Sequence, residues 1–325
     1  MKILAVDDDL FILELLSKIS ARVGFEDVST AASGEIALEL LRGGDVVFDC
    51  FLFDINMPEM DGIELCHHVR QISAYRKTPI IMLTAMTEKT YVDDAFRAGA
   101  TDFVTKPFDI SELGARLRTA QELVVARQEA AAALESAGQQ RLATGSVHSF
   151  NLSDELQIGA DNDLISYTAL CNYLAQLSRS GLAGSQVLAV KIDRIEAIYI
   201  KATSDEFHYV LTEVADAIGL VFRPLGYIMA YAGNGLFLLV SSKAHLEPSI
   251  RLEMAVQNIL DEMGAEYDDG DPLDLEVSIG NPIRPNTGKL QRIRKTFDRA
   301  IARAENRTLK KQGAPGAVNI RATRR

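Results

Sequence analysis

The chain has 325 residues, 47% hydrophobic and 24% charged, which is enough for two domains with ordinary globular cores. Its net charge of −11 argues against general affinity for nucleic acid or an anionic membrane, so neither DNA nor membrane is an expected partner. Cys50, Cys66 and Cys171 are isolated and fit neither a disulfide framework nor a zinc site. No apolar run reaches the roughly 18 residues that span a bilayer, and Met1 runs straight into a strand pattern, so a cytoplasmic protein without a signal peptide is expected.

Residues 2–6 read as a short apolar strand ending in Asp7-Asp8-Asp9. Leu10, Leu13, Leu16 and Ile19 follow at helical spacing, with acids expected in the first turn. Val28-Ser-Thr-Ala reads as a second strand, and Ser33 as the cap of a second helix. The apolar run Cys50–Phe53 delivers Asp54 at its end, then the chain breaks at Pro58 and Gly62. A helix over about 63–71, a strand over 78–84, a helix near 90–98, a strand over 102–105 and a helix from about Ser111 complete the pattern. Strands alternating with helices over about 120 residues predict a doubly wound α/β domain with a five-stranded parallel sheet.

In such sheets chemistry collects in the crevice at the carboxyl ends of the strands. Gathered there are Asp7 and Asp8, Asp54, Thr84 and Lys106. Each alone reads as an ordinary loop residue, but the set does not. Carboxylates brought close together repel and require a cation, and hard oxygen ligands with room for water suit Mg²⁺. A lysine and a threonine hydroxyl facing the same point would hold the oxygens of a phosphoryl group. The implied chemistry is attack by the Asp54 carboxylate on phosphorus, giving an acyl phosphate.

With these residues in view, positions 1 to about 122 resemble the receiver domain of two-component response regulators. The resemblance rests on Val6-Asp-Asp8, Asp54-x-x-Met-Pro-x-Met-Asp-Gly62, Leu83-Thr-Ala85 and Lys106-Pro-Phe108. It implies that Asp54 is the phosphoacceptor, fed by a histidine kinase or phosphotransfer protein. It implies Mg²⁺ ligands Asp8, Asp54 and the backbone carbonyl of Asn56, with Asp7 helping through water. Lys106 would pair with the phosphate through a cis Lys106–Pro107 segment, Thr84 would swing to bond it, and Phe103 would turn inward behind Thr84.

From Leu113 a heptad seam continues through Leu117, Ala120, Val124, Arg127, Ala131 and Leu134. It reads either as a helix pairing two protomers or as one long solvated helix. Residues 123–149 form this linker, in which His148 reads as solvated.

Residues 150–312 again mix strands and helices in the order αβαββαβα, predicting an α+β domain, and residues 313–325 form a basic tail read as frayed and solvated. The predicted elements are helices over 163–177, 205–218, 250–263 and 289–310, and strands over 186–193, 225–232, 236–240 and 273–279. This half resembles the GGDEF domain of diguanylate cyclases. The match lies in Asp163-Leu-Ile-Ser-Tyr-Thr-Ala-Leu, Ala189-Val-Lys-Ile-Asp193, Tyr231-Ala-Gly-Asn-Gly-Leu-Phe237, Val277-Ser-Ile-Gly280 and Ala300-x-x-x-Ala304-x-x-x-Arg307.

The functional positions of that family are altered. Its signature hairpin reads here Gly233, Asn234, Gly235, Leu236, Phe237, so the acidic pair is missing. Lys191 stands at the first metal-binding Asp, and Asp193 is the one acid retained. The guanine-contacting Asn and Asp fall at Tyr199 and His208, and the inhibitory Arg-x-x-Asp site would put its Asp at Tyr227, with Arg223 one residue out of register. The resemblance thus implies a degenerate domain with no cyclase activity and no bound nucleotide, signalling to an unknown output protein by contacts or homodimerisation. The alternatives are a residually active cyclase and a GTP- or cyclic-dinucleotide-binding effector. The glycines of the hairpin read as turn geometry alone.

Overall fold

Uninterrupted apolar runs become the fully buried centre of a parallel sheet. In the computed structural model these are β1 (Ile3–Val6), β3 (Cys50–Asp54) and β4 (Ile80–Thr84), with every residue buried. The flanking strands β2 (Val28–Ala31) and β5 (Asp102–Thr105) are less enclosed, as edges should be. The order β2-β1-β3-β4-β5, parallel throughout, is the doubly wound arrangement. The structure describes residues 1–44, 46–85, 89–142, 148–156, 158, 164–285 and 290–312.

Helices connect these strands. In α1 (Leu10–Arg22), Asp9 is the N-cap and accepts from Phe11 N–H, so the expected first-turn acids resolve into one cap outside the helix. Ser33 caps α2 (Gly34–Gly43), Asp61 caps α3 (Gly62–Gln71), and α4 spans Lys89–Arg97. The 33-residue α5 (Ile110–Leu142) buries Leu113, Leu117 and Ala120 in the core that α1 and the sheet share. The first half of the expected heptad seam is therefore used inside its own domain. The end of the linker at Ala143-Thr-Gly-Ser lies outside the described residues.

The chain divides into two compact units, Met1–Gly145 and Ser146–Arg325. In the second, α6 (Tyr167–Gln176), α7 (Arg179–Ala183), β6 (Gln186–Ile192), α8 (Ile195–Lys201) and α9 (Ser204–Phe222) come first. Then follow β7 (Tyr227–Tyr231), β8 (Leu236–Ser241), α10 (Ser249–Met263), β9 (Val277–Ile279) and α11 (Leu290–Gln312). The strands pair antiparallel in the order β7-β8-β6-β9.

Alternation sorts the sheet's two faces. Phe237 and Leu239 join the core built with α9 and α10, while their neighbours point the other way, where α6 and α11 pack. Gly280 lets α11 approach closely, since a Cβ there would meet Ala304 N at 2.7 Å.

Two expectations change in this unit. The helix expected from Asp163 begins only at Tyr167, because Leu164 forms a parallel bridge to Met229 and Ser166 is the N-cap; Asp163 itself lies outside the described residues. The strand expected over 273–279 shortens to β9, and neither α7 nor α8 was foreseen. The basic tail, residues 313–325, also lies outside the described residues.

Candidate functional site

The register of the parallel sheet assembles the first site. Val6 pairs with Phe53, Asp54 with Leu83, and Thr84 with Thr105, so the residues that end or follow these strands emerge along one edge. Lys106 is fixed there by its own N–H, which donates to Thr84 O at 2.7 Å, and the Lys106–Pro107 bond is cis. Behind Asp54 the loop folds back until Gly62 N–H donates to Ile55 O at 3.0 Å. A Cβ at Gly62 would overlap the Asp54 carbonyl oxygen, so this turn admits only glycine.

Lys106 Nζ lies 2.7 Å from Asp7 Oδ2 and 2.8 Å from Asp54 Oδ1. The second contact sets the Lys106 ammonium on the Asp54 carboxylate, so one lysine serves both acids. Asp7 and Asp54 are 1% and 3% exposed, whereas Asp8 is open to solvent. One carboxylate oxygen from each of Asp7, Asp8 and Asp54 falls within a 4.8 Å cluster. Burial pushes the Asp54 carboxyl above its usual range; Lys106 opposes this, while the charges of Asp7 and Asp8 add to it. Burial would lower the Lys106 ammonium, but Asp54 and Asp7 outweigh it and hold it raised.

Three acids with a single ammonium between them suit a divalent cation bound through oxygen. Thr84 is buried beside them. Asn56 lies exposed in the loop after β3. Phe103 is 7% exposed, with its ring edge-on to Phe96 at a centroid distance of 6.3 Å. The residue before it, Asp102, is buried and pairs with Arg116 of α5 at 3.2 Å, a tie between β5 and α5 that carried no sequence signal.

In the second unit the hairpin residues Gly233, Asn234 and Gly235 all have positive φ, between Tyr231 and Leu236 of β7 and β8. Lys191 pairs across β6 with Leu236 and Ser278, and its Nζ donates to Asn234 O at 2.9 Å. Asp193 is buried and accepts from Thr308 Oγ1 at 2.6 Å, Ser278 Oγ at 2.9 Å and Lys311 Nζ at 3.3 Å. Lys311 also lies 3.5 Å from Glu253, which Arg307 grips through two nitrogens. Leu236 and Phe237 are buried.

His148 corrects the expectation of a solvated linker residue. It is 6% exposed and its ring stacks on Tyr199 at 4.1 Å. Its neighbour in the sequence pattern, Phe150, is an aromatic that apolar periodicity alone does not join to residues some fifty positions away.

Comparison with known proteins agrees with the geometry of the first unit. Residues 3–118 match the response regulator receiver domain. The regulatory protein AtoC of Escherichia coli is 40% identical over 128 residues, covering 39% of this chain and 27% of AtoC. The transcriptional regulatory protein SrrA of Staphylococcus aureus is 38% identical over 132 residues, covering 39% of this chain and 52% of SrrA. This chain thus spans about a quarter and a half of those relatives' lengths. Among solved structures, the chemotaxis protein CheY4 of Vibrio cholerae aligns at 38% identity over 38% of this chain and 97% of that one, with a TM-score of 0.34. Residues 3–118 are thus a response regulator receiver domain, the module of two-component signalling.

Proposed function

We propose that this protein is a phosphorylation-controlled response regulator that takes a phosphoryl group on Asp54 and signals through a GGDEF-like second unit with no cyclase activity. Asp54 would attack phosphorus, with the Lys106 ammonium, shared between Asp54 and Asp7, offsetting one of their two negative charges. Asp8, Asp54 and the Asn56 carbonyl, with Asp7 through water, would hold Mg²⁺, which supplies charge neutralisation at the incoming phosphoryl oxygens. Lys106 moves from its present acids to the phosphoryl oxygens, and Thr84 turns toward them. The Asp102–Arg116 pair offers a route from β5 to α5.

The observation that carries the silent second unit is the occupancy of its acid. Asp193 is saturated by two hydroxyls and Lys311, and Lys191 stands on the same strand with its ammonium on the hairpin carbonyl. Nucleotidyl cyclisation by metal ions needs free carboxylates converging on the triphosphate. Here Lys191 replaces one such acid in the sequence pattern, and Lys311 pairs with the acid that remains. Output is then by contact with a partner protein or a second copy. Incubating the phosphorylated protein with GTP and Mg²⁺ should yield no cyclic dinucleotide; product above background would overturn this reading, and tight GTP binding without product would favour a nucleotide-sensing effector.

A further inference from the structure

Segment 148–153 does not merely lead into the second unit; it is laid across it. At one end the His148 ring lies face to face on Tyr199, 4.1 Å between centroids and 22° between planes. Its edge is bonded as well: Nε2 lies 2.6 Å from Tyr199 O and Nδ1 3.3 Å from Ser204 Oγ. A carbonyl only accepts, so Nε2 carries the proton of the first bond. Phe150 follows into the core, edge-on to His208 at 5.2 Å, and its carbonyl accepts from Tyr199 Oη at 2.6 Å. At the other end the hairpin holds the backbone. Asn234 N–H donates to Leu152 O at 2.7 Å, and a Cβ at Gly233 would overlap Ser153 O. Gly233 is therefore required by the close approach of this strap, beyond the turn geometry that its φ of 79° already demands.

An apolar core side chain is held by its faces alone, and a buried polar one through hydrogen bonds as well. This imidazole is recognised by its face and by both edge nitrogens, the manner in which proteins hold a heteroaromatic base. On the GGDEF-like reading above, on which this inference rests, Tyr199 and His208 stand at the base-contacting positions and Gly233–Asn234 in the signature hairpin. The strap touches both. We propose that His148–Ser153 is a built-in occupant of a ring-binding slot between α8 and α9, an intramolecular plug that excludes planar heteroaromatic ligands such as a purine nucleoside. The second unit is thereby closed to nucleotide by two independent devices, the lysines that replace or pair its metal-position acids and an imidazole in the base slot.

The test uses imidazole and guanosine, which carry no phosphate and need no metal, so it is separate from the cyclase assay. Binding is read from amide shifts of Tyr199, Ser204 and His208 in the full chain. The His148→Gly variant should bind both rings with affinities on the order of millimolar, while the unaltered protein and the ring-retaining His148→Phe variant bind at least about tenfold more weakly. Equal binding by the unaltered chain, or no binding by folded His148→Gly, would overturn the plug. A second measurement needs no variant. The Asn234 amide should exchange with solvent at least about a hundredfold more slowly than an exposed amide, and unprotected exchange would show that the strap is not docked.

Discussion

Asp54 ends one strand and Asp193 follows another, each is 3% exposed, and their surroundings give them different roles. Asp54 shares one lysine with Asp7 beside the solvent-exposed Asp8. Asp193 is bonded by Thr308, Ser278 and Lys311, so its lone pairs serve the fold. Glu253 belongs to the same structural group. Burial pushes its carboxyl up, yet hydrogen bonds from Arg307 and Ile279 N–H and the charges of Lys311 and Arg307 more than offset that and hold it below the usual range. A depressed carboxyl contributes stability that is present above its unfolded pKa, about 4.3, and lost as pH falls through the folded value. Protection of the Ile279 amide against exchange should therefore weaken below about pH 4, and by less in Glu253→Gln, which is already destabilised at neutral pH. An equal acid loss in both proteins would show that another group carries it. Removing the carboxylate outright, Glu253→Ala, deletes its hydrogen bonds to a partly exposed Arg307 and to Ile279 N–H and should cost roughly 1–2 kcal/mol in denaturant unfolding.

At the scale of elements, the receiver half was largely legible, because its strands are unbroken apolar runs and its helices carry local caps at Asp9, Ser33 and Asp61. The misses have local causes. α8 has seven residues and no side-chain cap, its N-cap Arg194 sitting at φ 57°, so no start signal preceded it. The onset of α6 moved because the apolar residues Leu164 and Ile165 bond to β7 instead, Ile165 N–H donating to Met229 O at 2.9 Å. For α5, Leu113, Leu117 and Ala120 are consumed in the receiver core, so only about two heptads of the sequence seam continue beyond it. That is shorter than the three or four heptads a stable coiled coil needs and includes a charge. The unphosphorylated chain should therefore sediment as a monomer at micromolar concentration; a dimer under those conditions would show that α5 pairs more strongly than its remaining seam allows. Cys50, Cys66 and Cys171 are buried and free, with thiols pushed up by burial to about 12, 11 and 11. None should react with iodoacetamide in the native protein, and fast labelling of any one would contradict this packing.

At the scale of the whole molecule, the two halves differed in how much of their function the sequence disclosed. The receiver site is made of residues that each follow a strand within one or two positions, so a list of strand ends already names Asp7, Asp8, Asp54, Thr84 and Lys106. The strap and the Asp193 cluster depend on partners far apart in the chain: His148 with Tyr199, Asp193 with Thr308 and Lys311, Glu253 with Arg307. Nothing in local pattern connects such pairs. Among the described residues no helix is long and apolar enough to cross a membrane. On the proposed function, Asp54 is the residue at which covalent chemistry occurs and the second unit is a contact surface. The most direct test is to incubate the protein with acetyl phosphate and Mg²⁺ and locate the phosphoryl group by peptide mass spectrometry. A single acyl phosphate on Asp54, absent from Asp54→Asn, is the predicted result; a phosphoryl group on another residue, or full labelling of Asp54→Asn, would contradict it.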